Sequence, residues 1–203
     1  MQKLDSAFVP YDNRFGSPLN TQLREWPIIR ETGLEKAIQD KADVWGFVSH
    51  KFQEKTNTTG TQFIDFIKNN PDKDVWFMEP INYCTNHFNP WHHGDECHTN
   101  ISKMTNDVFN KMGIDIDVKN IRMPFCWFNY FAGTEKFWSI YFSVMDEFIK
   151  VSMEDEELNK LVFHTSAQYG PDLNVPYFIF IVERMFSTII SCHGDIKAIG
   201  YRY

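Results

Sequence analysis

No apolar run in this chain approaches the roughly 18 residues needed to cross a bilayer. The longest candidates, VPYFIFIV and FWSIYFSVM, read as buried elements, so no transmembrane segment is expected. The opening residues MQKLDSAFVPYDNRFG lack the apolar stretch of a secretory signal, which together with the cysteine usage points to a cytoplasmic location. Basic residues are in deficit: 20 Lys and Arg stand against 27 Asp and Glu, a net charge of −7. That balance gives no electrostatic footprint for phosphate backbones, and no nucleic acid is expected as a partner. The four cysteines, Cys84, Cys97, Cys126 and Cys192, form no CxxC pair, as expected of free or buried thiols in a reducing compartment. Also missing are a phosphate-cradling GxxxxGK[ST] loop, a dinucleotide GxGxxG turn, an HExxH helix and a GxSxG elbow.

Aromatic side chains, in contrast, are plentiful: 19 Phe, 8 Tyr and 6 Trp in 203 residues. Such a surplus fills cores and can also line pockets for flat polar ligands or sugars. A chain of this length has room for one hydrophobic interior, and no linker or internal repeat divides it. Residues 1–203 therefore read as a single domain.

Hydrophobic periodicity sets the expected elements. A short strand is expected within residues 5–11 and a helix over 20–39. Residues 44–48 and 74–78 (DVWFM) read as strands. Phe63, Phe66 and Ile67 share a helical face over 62–69, and helices are expected over 102–112, 135–153 and 176–192, the last with a proline at its start. Residues 82–99 read as a long functional loop, and 121–133 as a possible strand. Strands alternating with helices predict an α/β fold with a central, mostly parallel mixed sheet flanked by helices. Ligands of such sheets bind at the carboxyl ends of strands. Three predicted strands end in polar clusters: Pro10, Tyr11, Asp12, Asn13 and Arg14; Ser49, His50 and Lys51; and Glu79, Pro80, Ile81 and Asn82. A convergence of all three on one crevice is expected.

The residue types in those clusters suit an anionic, partly aromatic ligand. A base can stack on Tyr11, Arg14 can fork onto a phosphate, and His50 and Lys51 add positive charge. A divalent cation facing a diphosphate needs hard oxygen donors. Asp72 and Asp74 have suitable spacing but precede their strand, whereas Glu79 follows it and is the preferred ligand. Asp115 and Asp117 form a second, weaker pair. His193, in the turn CHGD, is either a metal or phosphate contact or a local helix cap. The segment WHHGDECH contains zinc-ligand residue types in an unsuitable spacing. Asp95 or Glu96, oriented by His98, is a candidate general base there, against the plainer reading of loop hydrogen bonds and capping. Cys126, set among bulky apolar residues, reads as core.

Several longer segments, REWPIIRE, DVWGFVSHKFQEKT, FIKNNPDKDVWFMEP, WHHGDECH, FCWFNYFAGTEKFW and ERMFSTII, together resemble small nucleotide-sugar glycosyltransferase domains of GT-A type, as found in bacterial surface-polysaccharide clusters and large DNA viruses. The resemblance implies a nucleotide diphosphate-sugar donor, UDP-linked by preference, a glycan acceptor, and Mn²⁺ or Mg²⁺ as cofactor. It places Pro10, Tyr11 and Asp12 near the base, Arg14 or Lys51 near the phosphates, and Glu79 and His193 on the metal. The implied reaction moves a hexosyl group to a sugar hydroxyl, with Asp95 as base if the configuration inverts. Trp45, Trp76, Trp91 and Trp127 are candidates to line the donor site. A carbohydrate-binding module without catalysis and a metal-dependent nucleotide-sugar hydrolase are the alternatives.

Overall fold

A computed structural model describes residues 7–8, 23, 26–84, 87, 89–167 and 175–203. Its centre is a four-stranded sheet of order β1-β3-β2-β4. The strands are β1 (Val44–Phe47), β2 (Val75–Glu79), β3 (Phe131–Thr134) and β4 (Ala198–Arg202). β3 runs antiparallel to both its neighbours, with Phe47 and Phe77 both level with Phe131. Among the described residues only β2 and β4 pair in parallel, from Val75 beside Ala198 to Glu79 beside Arg202.

The expectation of a mostly parallel, GT-A-like sheet is thus overturned. Helices do follow β1 and β2, which is what the alternating pattern registered. The chain after β2, however, returns as a strand that inserts between β1 and β2 in the opposite sense. Strand direction is not encoded in the period-two pattern that marks a strand.

Two helical layers cover the sheet. On one face lie α2 (Phe52–Thr56) and α3 (Gly60–Lys68), whose Phe52 and Phe63 pack with Trp76, Met78, Tyr130 and Ala132. α3 begins at a capping box, in which Thr59 and Gln62 satisfy each other's backbone N–H groups. The opposite face carries the larger core. Val75, Phe77 and Phe131 meet α7 (Glu135–Glu154) and α9 (Tyr177–Cys192), with α6 (Ile101–Lys111) packed alongside. Alternation along β2 explains the division: Val75 and Phe77 face one layer, Trp76 and Met78 the other. α1 (Leu34–Asp40) precedes β1, the short α4 (Ile81–Cys84) follows β2, and α8 (Glu156–Asn159) starts at Asp155, which accepts hydrogen bonds from the Glu157 and Leu158 amides.

The expected helices over 62–69, 102–112, 135–153 and 176–192 all form within a residue or two of those bounds. Two segments differ. The expected loop over 82–99 contains a two-turn helix, α5 (Pro90–Cys97). Asn89 starts it by accepting from the Trp91 and His92 amides, while its own amide group donates to the carbonyls of Val118, Lys119 and Ile121. Of the possible strand over 121–133, only the residues from Phe131 on pair as a strand; the preceding residues are irregular and include a tight turn at Trp127–Asn129. The strand expected within 5–11 lies almost entirely outside the described residues; Ala7 and Phe8 are in a turn. Among the described residues, no helix is long and apolar enough to cross a membrane.

Candidate functional site

Although two of its three pairings are antiparallel, the sheet presents the carboxyl ends of β1, β2 and β4 along one edge. The two antiparallel steps through β3 cancel, so β1 and β2 point the same way, and β4 follows β2. This edge brings together the polar stretch 49–51, Glu79 and Arg202, with the start of β3 between them. The site is built from these residues.

Glu79 ends β2, its side chain only 13% exposed, and accepts from Arg202 Nε at 2.9 Å. Its position in the strand puts it on the α9 face, beyond Phe77, which contacts Phe186 of α9. Half-buried Glu183 lies one turn before Phe186 on the same helix. Cys126 is buried near both carboxylates: burial pushes its thiol well above the ordinary range, and the charges of Glu183 and Glu79 push it further. Its Sγ donates to the Tyr130 carbonyl at 3.7 Å. Cys126 is therefore an inert core thiol at the floor of the edge.

β3 enters through a sharp corner. Phe128 and Asn129 both have left-handed backbones, with φ of 65° and 56°. A bulky Phe in that region is uncommon and costs free energy, so neighbouring contacts must hold it. Lys55 Nζ sits 3.5 Å above the Phe128 ring, and the next side chain, buried Tyr130, is hydrogen-bonded through its hydroxyl to Ser49. Met78 N donates to Tyr130 O at 3.0 Å, continuing the β2–β3 ladder. Asn129 stands in the turn just before this ladder begins. Asn129 is buried, and its Oδ1 is closed off from solvent with no hydrogen-bond partner among the described residues.

His50 and Lys51 are exposed at the end of β1 and the start of α2, with the Lys51 amide donating to Ser49 Oγ at 3.3 Å. They are two strand spacings from Glu79, about 10 Å. Pro10, Tyr11, Asp12 and Arg14 lie outside the described residues.

His193 is elsewhere. It caps the C-terminus of α9 and precedes β4, so it stands at the opposite edge of the sheet from Glu79, about 15 Å of strand away. The two expected metal ligands cannot share one ion. Asp74, also at that opposite edge, already accepts from Lys136 Nζ at 3.1 Å and from the Lys197 amide at 2.8 Å, while Asp72 pairs with Lys73. Among the described residues, no group of three or more His, Cys, Asp or Glu side chains is arranged to hold a metal ion. The expectation of Mn²⁺ or Mg²⁺ is therefore corrected: the donor set does not fit.

The WHHGDECH residues are held by α5. Asp95 accepts from Ser102 N at 3.1 Å and Ser102 Oγ at 2.6 Å, capping α6, and pairs with Lys119 at 2.8 Å. Burial alone would raise its pKa, but the bonds from Lys119 and Ser102 outweigh it and hold the carboxyl below its ordinary value. Glu96 is exposed, 3.7 Å from His87 Nδ1. His98 is buried, stacked on Phe180 and bonded through Nδ1 to the Ala167 carbonyl at 3.0 Å; burial and nearby Arg184 lower its pKa. Asp95, Glu96 and His98 thus make separate contacts rather than one catalytic group. His93 Nε2 lies 3.6 Å from the exposed Cys97 Sγ, its pKa lowered by burial and by Arg184.

Of the tryptophans expected to line the site, Trp76 and Trp91 are buried, the latter donating to Thr188 Oγ1 at 2.9 Å, and Trp45 stacks on Trp138 with ring centroids 4.1 Å apart. Asn129, Arg202 and Glu183 escaped the sequence reading. A signal for the last was present: Glu183-Arg184 is the one charged pair inside an otherwise apolar helix, PYFIFIVERMFSTIISC.

Comparison of the chain with family models, curated proteins and solved structures found no match.

Proposed function

We propose that the chain is a metal-independent glycosyltransferase that binds a nucleotide diphosphate-sugar, UDP-linked by preference, along the carboxyl edge of its sheet and transfers the hexosyl group to a glycan hydroxyl. The observation that carries this reading is the pair Glu79 and Arg202 at the ends of adjacent strands, with His50 and Lys51 about 10 Å along the same edge. That span matches a sugar diphosphate lying across the strand ends, and ligands of layered sheets favour that location. Cationic side chains neutralise the leaving diphosphate: Lys51 at one end and the exposed Arg202 at the other. Glu79, little exposed and beside the reacting region, is the carboxylate for the acceptor hydroxyl in place of Asp95, whose oxygens are committed to Ser102 and Lys119.

An aromatic glycan-binding platform is less well supported, because Trp45, Trp76 and Trp91 are occupied in packing. The test is isothermal titration against UDP, GDP and dTDP in EDTA, followed by a transfer assay with the matching sugar nucleotide. Binding of one diphosphate at micromolar concentration, weakened by Lys51→Ala, is expected. If none binds at millimolar concentration, the reading fails.

A further inference from the structure

Histidines gather around one buried cation where α5 meets α9. Arg184 of α9 is buried, and the α5 backbone at Gly94 runs so close that a Cβ there would lie 2.6 Å from its Nε. His98, just past the end of α5, donates its amide to the Gly94 carbonyl at 2.7 Å. Its buried ring stacks on Phe180 with centroids 3.8 Å apart, and the Phe180 carbonyl accepts from Arg184 Nη1 at 2.7 Å. His98 Nδ1 bonds to the Ala167 carbonyl, which can only accept, so the neutral ring carries its hydrogen on Nδ1. A second proton makes this ring a cation inside the contact that already holds Arg184. Half-buried His93, on the same helix, has Nε2 3.6 Å from Cys97 Sγ and its ring 5.1 Å from that of His87. We infer that the contact between α5 and α9 is a pH-sensitive joint, which opens when protons load His93 and His98 beside the buried Arg184 guanidinium.

The charges around the joint hold both rings neutral at pH 7. From α9 comes Arg184 with Glu183 beside it; from α5 come Asp95, Glu96 and Cys97; from the chain before α5 comes His87. Asp95 is committed to Ser102 and Lys119 and faces Tyr177, whose hydroxyl donates to the Thr99 carbonyl at 3.0 Å. His92 turns to the Lys119 carbonyl. Glu96 favours the charged form of His93, but it is exposed and also faces His87. Burial, Arg184 and His87 outweigh it and lower the pKa of His93; burial and Arg184 lower that of His98 against the pull of the Ala167 bond. A histidine with a lowered folded value stabilises the closed contact above its ordinary value of about 6.5, and that contribution is lost as pH falls below it. The joint needs no ligand and stands independently of the proposed transfer.

The experiment is hydrogen–deuterium exchange of the full chain at about pH 7.5 and about pH 5, with labelling times scaled to the intrinsic amide rate at each pH. Wild type is compared with the double variant His93→Gln, His98→Asn, in which the asparagine amide can still donate to Ala167 and neither side chain titrates. Opening of α5 in wild type should rise roughly tenfold or more on acidification, against a ceiling of about thirtyfold for each histidine that is neutral when closed and ordinary when open. Protection of α7 should stay unchanged, and the double variant should show no such rise. Equal protection of α5 at both pH values in wild type overturns the joint. So does an equal rise in the double variant, or a loss of protection in α5 and α7 together, which is general acid unfolding. If the double variant does not fold, the histidine ring resonances of wild type decide: His93 and His98 must titrate below about 6.5, and ordinary or raised values for both overturn the proposal.

Discussion

Arg202 donates to Glu79 across the parallel pairing of β2 and β4, at 2.9 Å, with the arginine 75% exposed and the glutamate 13% exposed. The asymmetry decides what each contributes. An ion pair with one partner so open to solvent stabilises a fold by about 0–1 kcal/mol.

Replacing Glu79 with Gln should therefore alter stability little, with a thermal midpoint within about 4 °C of wild type. Under the proposed function, transfer activity should fall at least a hundredfold, the usual contribution of a positioned general base. Arg202→Ala should leave the midpoint equally unaffected but weaken diphosphate binding. A large drop in midpoint with unchanged transfer would make the pair a structural element instead. Thermal melts and single-time-point transfer assays of the two variants suffice.

The lowered pKa of Asp95 has a definite consequence for acid stability. Burial opposes ionisation, but Lys119 and the two Ser102 donors outweigh it, so the folded value lies below the roughly 3.9 of an unfolded aspartate. A depressed carboxylate contributes stability that is fully present above the unfolded pKa and is lost as pH falls through the folded one. At pH 7 the contribution is intact; below about pH 4 it fades. Asp95→Asn should lower the urea midpoint at pH 7 and make the variant and wild type converge toward pH 3. The cap and ion pair together suggest a loss of about 1–2 kcal/mol at neutral pH. A difference that stays constant from pH 7 to pH 3 would show that the charge of Asp95 is not what matters.

Local pattern made most helices legible. Phe63, Phe66 and Ile67, or Phe137, Tyr141, Val144 and Phe148, repeat at the helical period because one face of each helix meets the sheet. α5 was not legible, since PWHHGDEC has no apolar face; it is helical because Asn89 caps it and α9 packs against it. The place of β3 was hidden for a different reason. FAGT pairs with both Val44–Phe47 and Val75–Phe77, and no local feature of the sequence specifies which neighbours a strand finds or in which direction. At the site, Glu79 and residues 49–51 could be named because they follow strands. Arg202 depends on the register of strands far apart in the chain. His193 misled because a polar turn after a helix looks the same at either edge of a sheet.

The buried guanidinium of Arg184 gives the last prediction. Arg184 is 2% exposed, donating through Nε to the Pro90 carbonyl at 3.1 Å and through Nη1 to the Phe180 carbonyl at 2.7 Å, so it ties the start of α5 to α9. α5 passes so close that a Cβ on Gly94 would lie 2.6 Å from Arg184 Nε and 3.1 Å from an Ile101 methyl. Gly94→Ala should consequently destabilise the protein even though alanine favours helices, because overpacking of about 1–3 kcal/mol exceeds a helix-propensity gain of about 1 kcal/mol. Arg184→Met should cost more, since it leaves the Pro90 carbonyl without this donor. In the Arg184→Met background the thioether chain can bend away, and Gly94→Ala should become neutral or mildly stabilising. The two substitutions would then couple favourably in a double-mutant cycle read from urea midpoints. Strict additivity would mean that Gly94 is small for a reason other than the arginine beside it.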